Sequence, residues 1–222
     1  MKIKEIFEGV YKINNDYYTK NLVKGESVYG EKLVKINNEE YRFWDHYRSK
    51  PAAALKNGLK NFPITKNSKI LYLGIASGTT ASHFSDIAIN GIIYGIEVSE
   101  IPLAKLKILA EKRKNIVPIL ADARKPETYS FLILEKVDFV YCDVAQQDEP
   151  RIFVDNIEKF GKENCYGMIA IKSRSIDVTK KPKEVYREVE NYLKERNLKI
   201  IERVELDPYQ KDHAIIVVKN NP

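Results

Sequence analysis

The chain has 222 residues, of which 44% are hydrophobic and 31% charged, with a formal net charge of +6. That length supports one sizeable α/β domain with a small extension and excludes two large domains. No apolar run approaches the ~20 residues of a membrane span, and Met1-Lys2-Ile3-Lys4-Glu5 lacks the apolar core of a signal peptide, so a cytoplasmic protein with no membrane partner is expected.

Short alternating segments come first. Phe7 to Ile13, Tyr17 to Val23, Lys32 to Ile36 and Tyr41 to Trp44 each read as one strand, with turns at Asn14-Asn15-Asp16, Lys24-Gly25-Glu26 and Asn37-Asn38. They predict a small antiparallel β-unit over residues 1–48. Trp44, Tyr17, Tyr18 and Tyr41 read as its core or as a face for a protein partner, ahead of a platform for nucleic-acid bases. Strands and helices alternate from residue 49. Strands are predicted at 69–74, 92–98, 116–121, 137–143, 166–172, 198–205 and 213–218, and helices at 49–60, 79–89, 100–113, 149–160 and 183–195. This pattern implies βαβ units around a mostly parallel, Rossmann-like seven-stranded sheet. Only the loop Asp207 to Asp212 joins the last two strands, which makes them an antiparallel hairpin at one edge. Residues 49–222 thus form the second unit. Cys142 and Cys165 fall in apolar strands and read as buried free thiols; neither has a Cys or His at zinc-ligand spacing, so no metal is expected. Lys180-Lys181-Pro182-Lys183 reads as a solvated turn before a helix. The positive charge and a pI near 9.0 suit an anionic partner such as nucleic acid. The same Lys-, Glu- and Ile-rich composition also suits a heat-adapted protein.

Four strand ends carry the candidate chemistry. The strand Ile70 to Leu73 runs into Gly74-Ile75-Ala76-Ser77-Gly78 and then a helix at Thr79-Thr80. Small residues there let a ligand approach the backbone, and the helix start offers free N–H groups to a carboxylate. Glu97, followed by Val98, ends the next strand 19 residues after Gly78, where a carboxylate can grip a ribose hydroxyl pair. Asp122, followed by Ala123, can accept from an adenine amino group or cap the following turn. Asp143-Val144-Ala145-Gln146 leaves the central strand. No dinucleotide fingerprint is present. Together these ends match the layout of class I S-adenosylmethionine-dependent methyltransferases, which have no pyrophosphate to bind.

Tyr72-Leu73-Gly74-Ile75-Ala76-Ser77-Gly78-Thr79-Thr80-Ala81-Ser82-His83 resembles the cofactor loop of fibrillarins, with Tyr72 where generic methyltransferases carry an acid. Arg48-Ser49-Lys50, Leu120 to Arg124, Asp143 to Gln146, Ile171 to Val178 and Asp212-His213-Ala214 resemble the same family in the same order, over essentially the whole chain. Without a Gly/Arg-rich N-terminal extension, the chain is similar to the archaeal form. Pro51, Gln147 and His46 depart from the usual residues, and none removes a reactive side chain.

The resemblance implies methylation of ribose 2′-hydroxyls in rRNA, with tRNA a further substrate. It implies a particle containing a box C/D guide RNA, a Nop-type scaffold protein and a ribosomal-protein-like subunit that binds kink-turns. It marks Lys50, Asp143, Lys172 and His213 as the catalytic set. In that set Lys172 is expected to act as base or orienting residue, its pKa lowered by burial or by Lys50. Asp143 is expected to hold the lysines, and His213 to orient Lys172 or touch the ribose. Two other readings compete: a methyltransferase acting on a protein side chain or small molecule, and a non-catalytic subunit of an RNA particle. The two lysines beside Asp143 favour a hydroxyl acceptor over the first. The retained acids Glu97, Asp122 and Asp143 argue against the second.

Overall fold

The computed structural model describes residues 3–221. Its first part is a five-stranded antiparallel sheet of β1 (Ile3–Phe7), β2 (Val10–Ile13), β3 (Asp16–Lys20), β4 (Leu33–Ile36) and β5 (Glu39–Phe43), in the order β1-β2-β3-β5-β4. The single strand expected over 7–13 is therefore two. Gly9, at φ +73°, reverses the chain, and its N–H donates to Glu5 Oε1 at 2.8 Å. Alternation continued through the turn because both flanking strands alternate. The strand expected over 17–23 stops at Lys20. Beyond it the Asn21 side chain accepts from Val23 N at 3.1 Å and donates to Glu40 Oε1 at 2.7 Å, which bends the backbone away. Asn37 and Asn38 both adopt positive φ, the tight hairpin turn that asparagines favour.

The second part contains α1 (Lys50–Lys56), β6 (Lys69–Leu73), α2 (Thr79–Ile87), β7 (Ile92–Glu97), α3 (Glu100–Lys112), β8 (Ile116–Leu120), β9 (Val137–Cys142), α4 (Glu149–Phe160), β10 (Gly161–Lys172), α5 (Ser173–Ile176), α6 (Pro182–Glu195), β11 (Leu198–Glu205) and β12 (His213–Asn220). The sheet order is β11-β12-β10-β9-β6-β7-β8. Strands β6 to β10 run parallel, and β12 is antiparallel to both its neighbours, as the hairpin reading expected. The one-turn helix α5 was not foreseen. Helix α1 ends at Lys56, short of residue 60, because Asn57 and Gly58 (φ +91°) terminate it and the Asn57 amide donates to the Glu205 and Asp207 carbonyls. Pro51 sits in its first turn, where a missing N–H costs nothing. Among the described residues no helix is long and apolar enough to cross a membrane.

Two apolar layers cover the faces of the large sheet. Trp44 and Val10 join one of these layers, so the small sheet shares a core with the large one. Trp44 is fully buried and stacks on His83 with ring centroids 5.0 Å apart, while Tyr18 and Tyr41 are buried within the small sheet, which is the packing reading of these aromatics. Cys142 and Cys165 are buried free thiols.

A buried ion cluster fastens the sheets together. Arg42 of β5 donates to Glu31 at 2.6 Å and to Asp86 of α2 at 2.7 Å, and Arg113 donates to the other Asp86 oxygen at 2.5 Å. Thr19 Oγ1 gives its proton to Asp86 at 2.7 Å, so it must accept from His83 Nδ1, also at 2.7 Å. The Tyr29 hydroxyl, which donates to the Phe43 carbonyl at 3.2 Å, lies 2.7 Å from His83 Nε2. Fully buried beside two arginines, His83 is neutral. Burial, with Arg42 and Arg113 nearby, pushes its pKa well below the usual 6.5. The unfolded chain therefore takes up this proton first as pH falls, so His83 costs no stability above about pH 6.5 and a growing amount below it. The denaturation midpoint is expected to drop between about pH 7.5 and about 5.5, and the drop to shrink in His83→Gln, as followed by circular dichroism.

Candidate active site

The chain runs from β6 outward through β7 and β8, then returns beside β6 to form β9. Parallel sheets bind ligands at the carboxyl ends flanking such a reversal. A cleft of about 220 Å³ opens there, between the ends of β6, β7, β8 and β9. Gly74, Ala76, Glu97, Val98, Asp122, Ala123, Asp143, Val144, Ala145 and Gln146 line it, as the sequence proposed. Arg124, Ile152 and Lys172 line it as well. Ser77 and Thr79 instead face a larger groove of about 360 Å³ between residues 23–29 and α3. Thr80 is buried, its hydroxyl donating to Ser49 Oγ at 2.9 Å. Gly78 caps α2 at φ +89° and is not a lining residue of the cleft. The acids Glu97, Asp122 and Asp143 converge on the smaller cleft.

Gly74 makes the cleft possible. It takes φ +75°, and a Cβ at this position would stand 2.8 Å from the Asp143 carbonyl, so only glycine lets the exits of β6 and β9 run this close. Glu97 holds the loop, with Oε2 accepting from Ala76 N and Oε1 from Ser99 N, both at 2.9 Å. A carboxylate has about four acceptor positions, so two remain for a ligand. Asp122 makes a local turn by accepting from Arg124 N at 3.0 Å, and its carboxylate meets the Arg124 guanidinium at 2.7 Å. Arg124 holds the Asp122 carboxyl below its usual range. Sequence reasoning named Arg124 only within the Leu120–Arg124 segment and missed its fork on Asp122.

At the cleft edge two cations share one anion. Asp143 Oδ1 lies 3.0 Å from both Lys50 Nζ and Lys172 Nζ. These are ionic contacts out of line for hydrogen bonds to that oxygen; Lys50 makes its hydrogen bond to Oδ2, at 3.1 Å. All three side chains are largely buried. Lys50 enters from the first residue of α1, Asp143 from the exit of β9, and Lys172 from the last residue of β10. Burial alone would depress the Lys172 pKa, but the Asp143 carboxylate outweighs it and leaves the pKa raised. That reverses the expectation of a lowered lysine pKa: Lys172 is an ammonium here. His213 stands opposite Lys172 in the β10–β12 register. Its Nδ1 lies 2.6 Å from the Lys211 carbonyl, which makes Nδ1 the donor and leaves the Nε2 lone pair open. Burial and the two lysines lower its pKa although the Lys211 carbonyl raises it, so His213 is neutral near pH 7. Chemically, the arrangement offers positive charge to an incoming oxygen and a weak base nearby.

The family model described as Fibrillarin matches residues 1–222. The fibrillarin-like rRNA/tRNA 2′-O-methyltransferase of Pyrococcus abyssi is 54% identical, with 97% of each chain covered. The structure is similar to Aeropyrum pernix fibrillarin with natively bound S-adenosyl-L-methionine (TM-score 0.89, 46% identity, 98% of each chain covered). It is also similar to the fibrillarin chain of a fibrillarin/Nop5p complex (TM-score 0.90, 41% identity, 98% of this chain and 100% of that one covered). With the whole length matched and the cleft in place, this chain belongs to the fibrillarin family.

Proposed function

We propose that this protein transfers a methyl group from S-adenosylmethionine to ribose 2′-hydroxyls of rRNA and tRNA. The observation that carries the reading is the Lys50–Asp143–Lys172 constellation at the edge of a cleft built for that cofactor. The residues present fit it. Gly74 leaves room that a side chain would fill, Glu97 has acceptor positions left for a ribose diol, and Asp122 can take an adenine amino group. When bound, S-adenosylmethionine supplies a methyl group on a sulfonium, open to in-line displacement by an oxygen.

The protein's tasks are alignment and charge. Lys50 and Lys172 stabilise negative charge on the attacking oxygen, and Asp143 fixes the spacing of the two ammonium groups. A hydroxyl that is forming a bond to methyl becomes strongly acidic, so a weak base is sufficient and a neutral lysine is not required. The open Nε2 of His213 fits that role. In this reading residues 49–222 are the methyltransferase domain and residues 1–48 a platform that braces α2. The similarity to the fibrillarin of the Nop5p complex supports a Nop-type scaffold as partner. A box C/D guide RNA and a kink-turn-binding subunit complete the particle that we infer.

The deciding experiment incubates the chain, scaffold, kink-turn protein and guide RNA with labelled S-adenosylmethionine. Label at the guide-specified ribose, lost when that nucleotide is 2′-deoxy, is the expected result. Cofactor binding with no labelled RNA would overturn the substrate class. Glu97→Gln should weaken S-adenosylmethionine binding about ten- to hundredfold by calorimetry, since a hydrogen bond to a charged group is worth about 1.5–3 kcal/mol.

A further inference from the structure

Glu149 opens α4 directly behind the cleft and is fully buried. Its Oε2 has no hydrogen-bond partner, and its Oε1 has only the Cys142 thiol, at 4.0 Å. The titratable and charged groups that act on it are Tyr141 and Cys142 of β9, Asp143 at its exit, Lys172 from β10 and Lys50 from α1, together with the Val144 backbone N–H. Both lysines are already engaged by Asp143. A carboxylate this deep, with no cation of its own and Asp143 as a like-charged neighbour, is far costlier than a protonated acid.

We propose that Glu149 is a neutral acid and a positioning residue for methyl transfer, leaving Asp143 as the anion that Lys50 and Lys172 share. An ionised Glu149 would offer Lys172 a second carboxylate behind β9. It would draw the ammonium from its 3.0 Å contact with Asp143 and cancel positive charge meant for the acceptor oxygen. The burial of Glu149 and the burden on Asp143 favour the same charge state, in accord with a carboxyl pKa pushed well above the usual range by burial and by Asp143. The role assigned to Glu149 rests on the methyl-transfer reading; its charge state does not.

The test has two arms. In the full chain labelled with ¹³C-glutamate, one side-chain carboxyl resonance should sit at the protonated-acid position at neutral pH and vanish in Glu149→Gln. In the assembled particle, Glu149→Ala should slow single-turnover methylation about tenfold or more, since small misplacements of reacting groups carry such costs. Glu149→Gln should restore most of that rate and hold it to higher pH than the wild type, because an amide cannot ionise. A resonance at the ionised position, or a Gln variant as slow as Ala, overturns the proposal while leaving the methyltransferase reading intact. If the wild-type particle labels no ribose, that reading fails instead, and the resonance alone decides Glu149.

Discussion

Lys172→Ala is expected to lower single-turnover methylation in the assembled particle about 10²–10³-fold, the size seen when one preorganised charge-stabilising donor is removed. The affinity for S-adenosylmethionine should change little, because Glu97, Asp122 and the Gly74 loop remain in place. The argument is electrostatic. With Lys172 gone, Asp143 is neutralised by Lys50 alone, and no ammonium is left over for the attacking oxygen. Lys172→Arg should recover little, since a planar guanidinium cannot share a single carboxylate oxygen with Lys50 as a compact ammonium does. The pH profile checks the charge assignment. Because Lys172 is held charged, the rate should not climb as lysines begin to lose protons. An acidic limb should appear below about pH 6.5, where His213 takes up a proton. Full activity in Lys172→Ala, or a rate rising through the lysine range, would sink this mechanism.

Asp86→Ala carries the largest expected effect on stability. The carboxylate sits between two buried guanidinium groups, Arg42 at 2.7 Å and Arg113 at 2.5 Å, and also accepts from Thr19 and the Leu22 backbone. Its removal leaves buried positive charge that Glu31 alone must answer, a loss of about 3–5 kcal/mol. Each kcal/mol lowers the melting temperature of a chain this size by about 2–4 °C, which scanning calorimetry resolves. Asp86→Asn should fall nearly as far, because the fault is missing charge and not missing volume. A shift within error would mean that the arginines find solvent or another anion.

The large sheet was legible because strands and helices alternate and the exits of β6, β7, β8 and β9 carry small or acidic residues; Gly74, Glu97, Asp122 and Asp143 stand at those exits. Other features were not legible, each for a physical reason. Gly9 was the available sign that 7–13 is two strands, but alternation on both sides hid the reversal. The ion cluster joins Arg42 to Asp86 and Arg113, which no local pattern connects. Ser77 and Thr79 looked like ligand contacts by adjacency, yet the turn through Gly78 aims them at the opposite groove. Glu149 beside Pro150 reads as an ordinary acid at a helix start, and only packing shows that it is sealed from water. The Lys172 charge state needed a distance, since burial and Asp143 push its pKa in opposite directions.

The place of β12 has a consequence for synthesis of the chain. This strand is not an edge piece; it lies between β10 and β11 and pairs with β10 from Tyr166↔Lys219 to Lys172↔His213. Ribosomes deliver residues in order, at about 5–20 per second. Until residues 213–220 emerge, β10 keeps an open edge and β11 has no neighbour in the sheet. A nascent chain can therefore hold Lys50, Asp143 and Lys172 without His213, so the site is completed only when this late strand slots home.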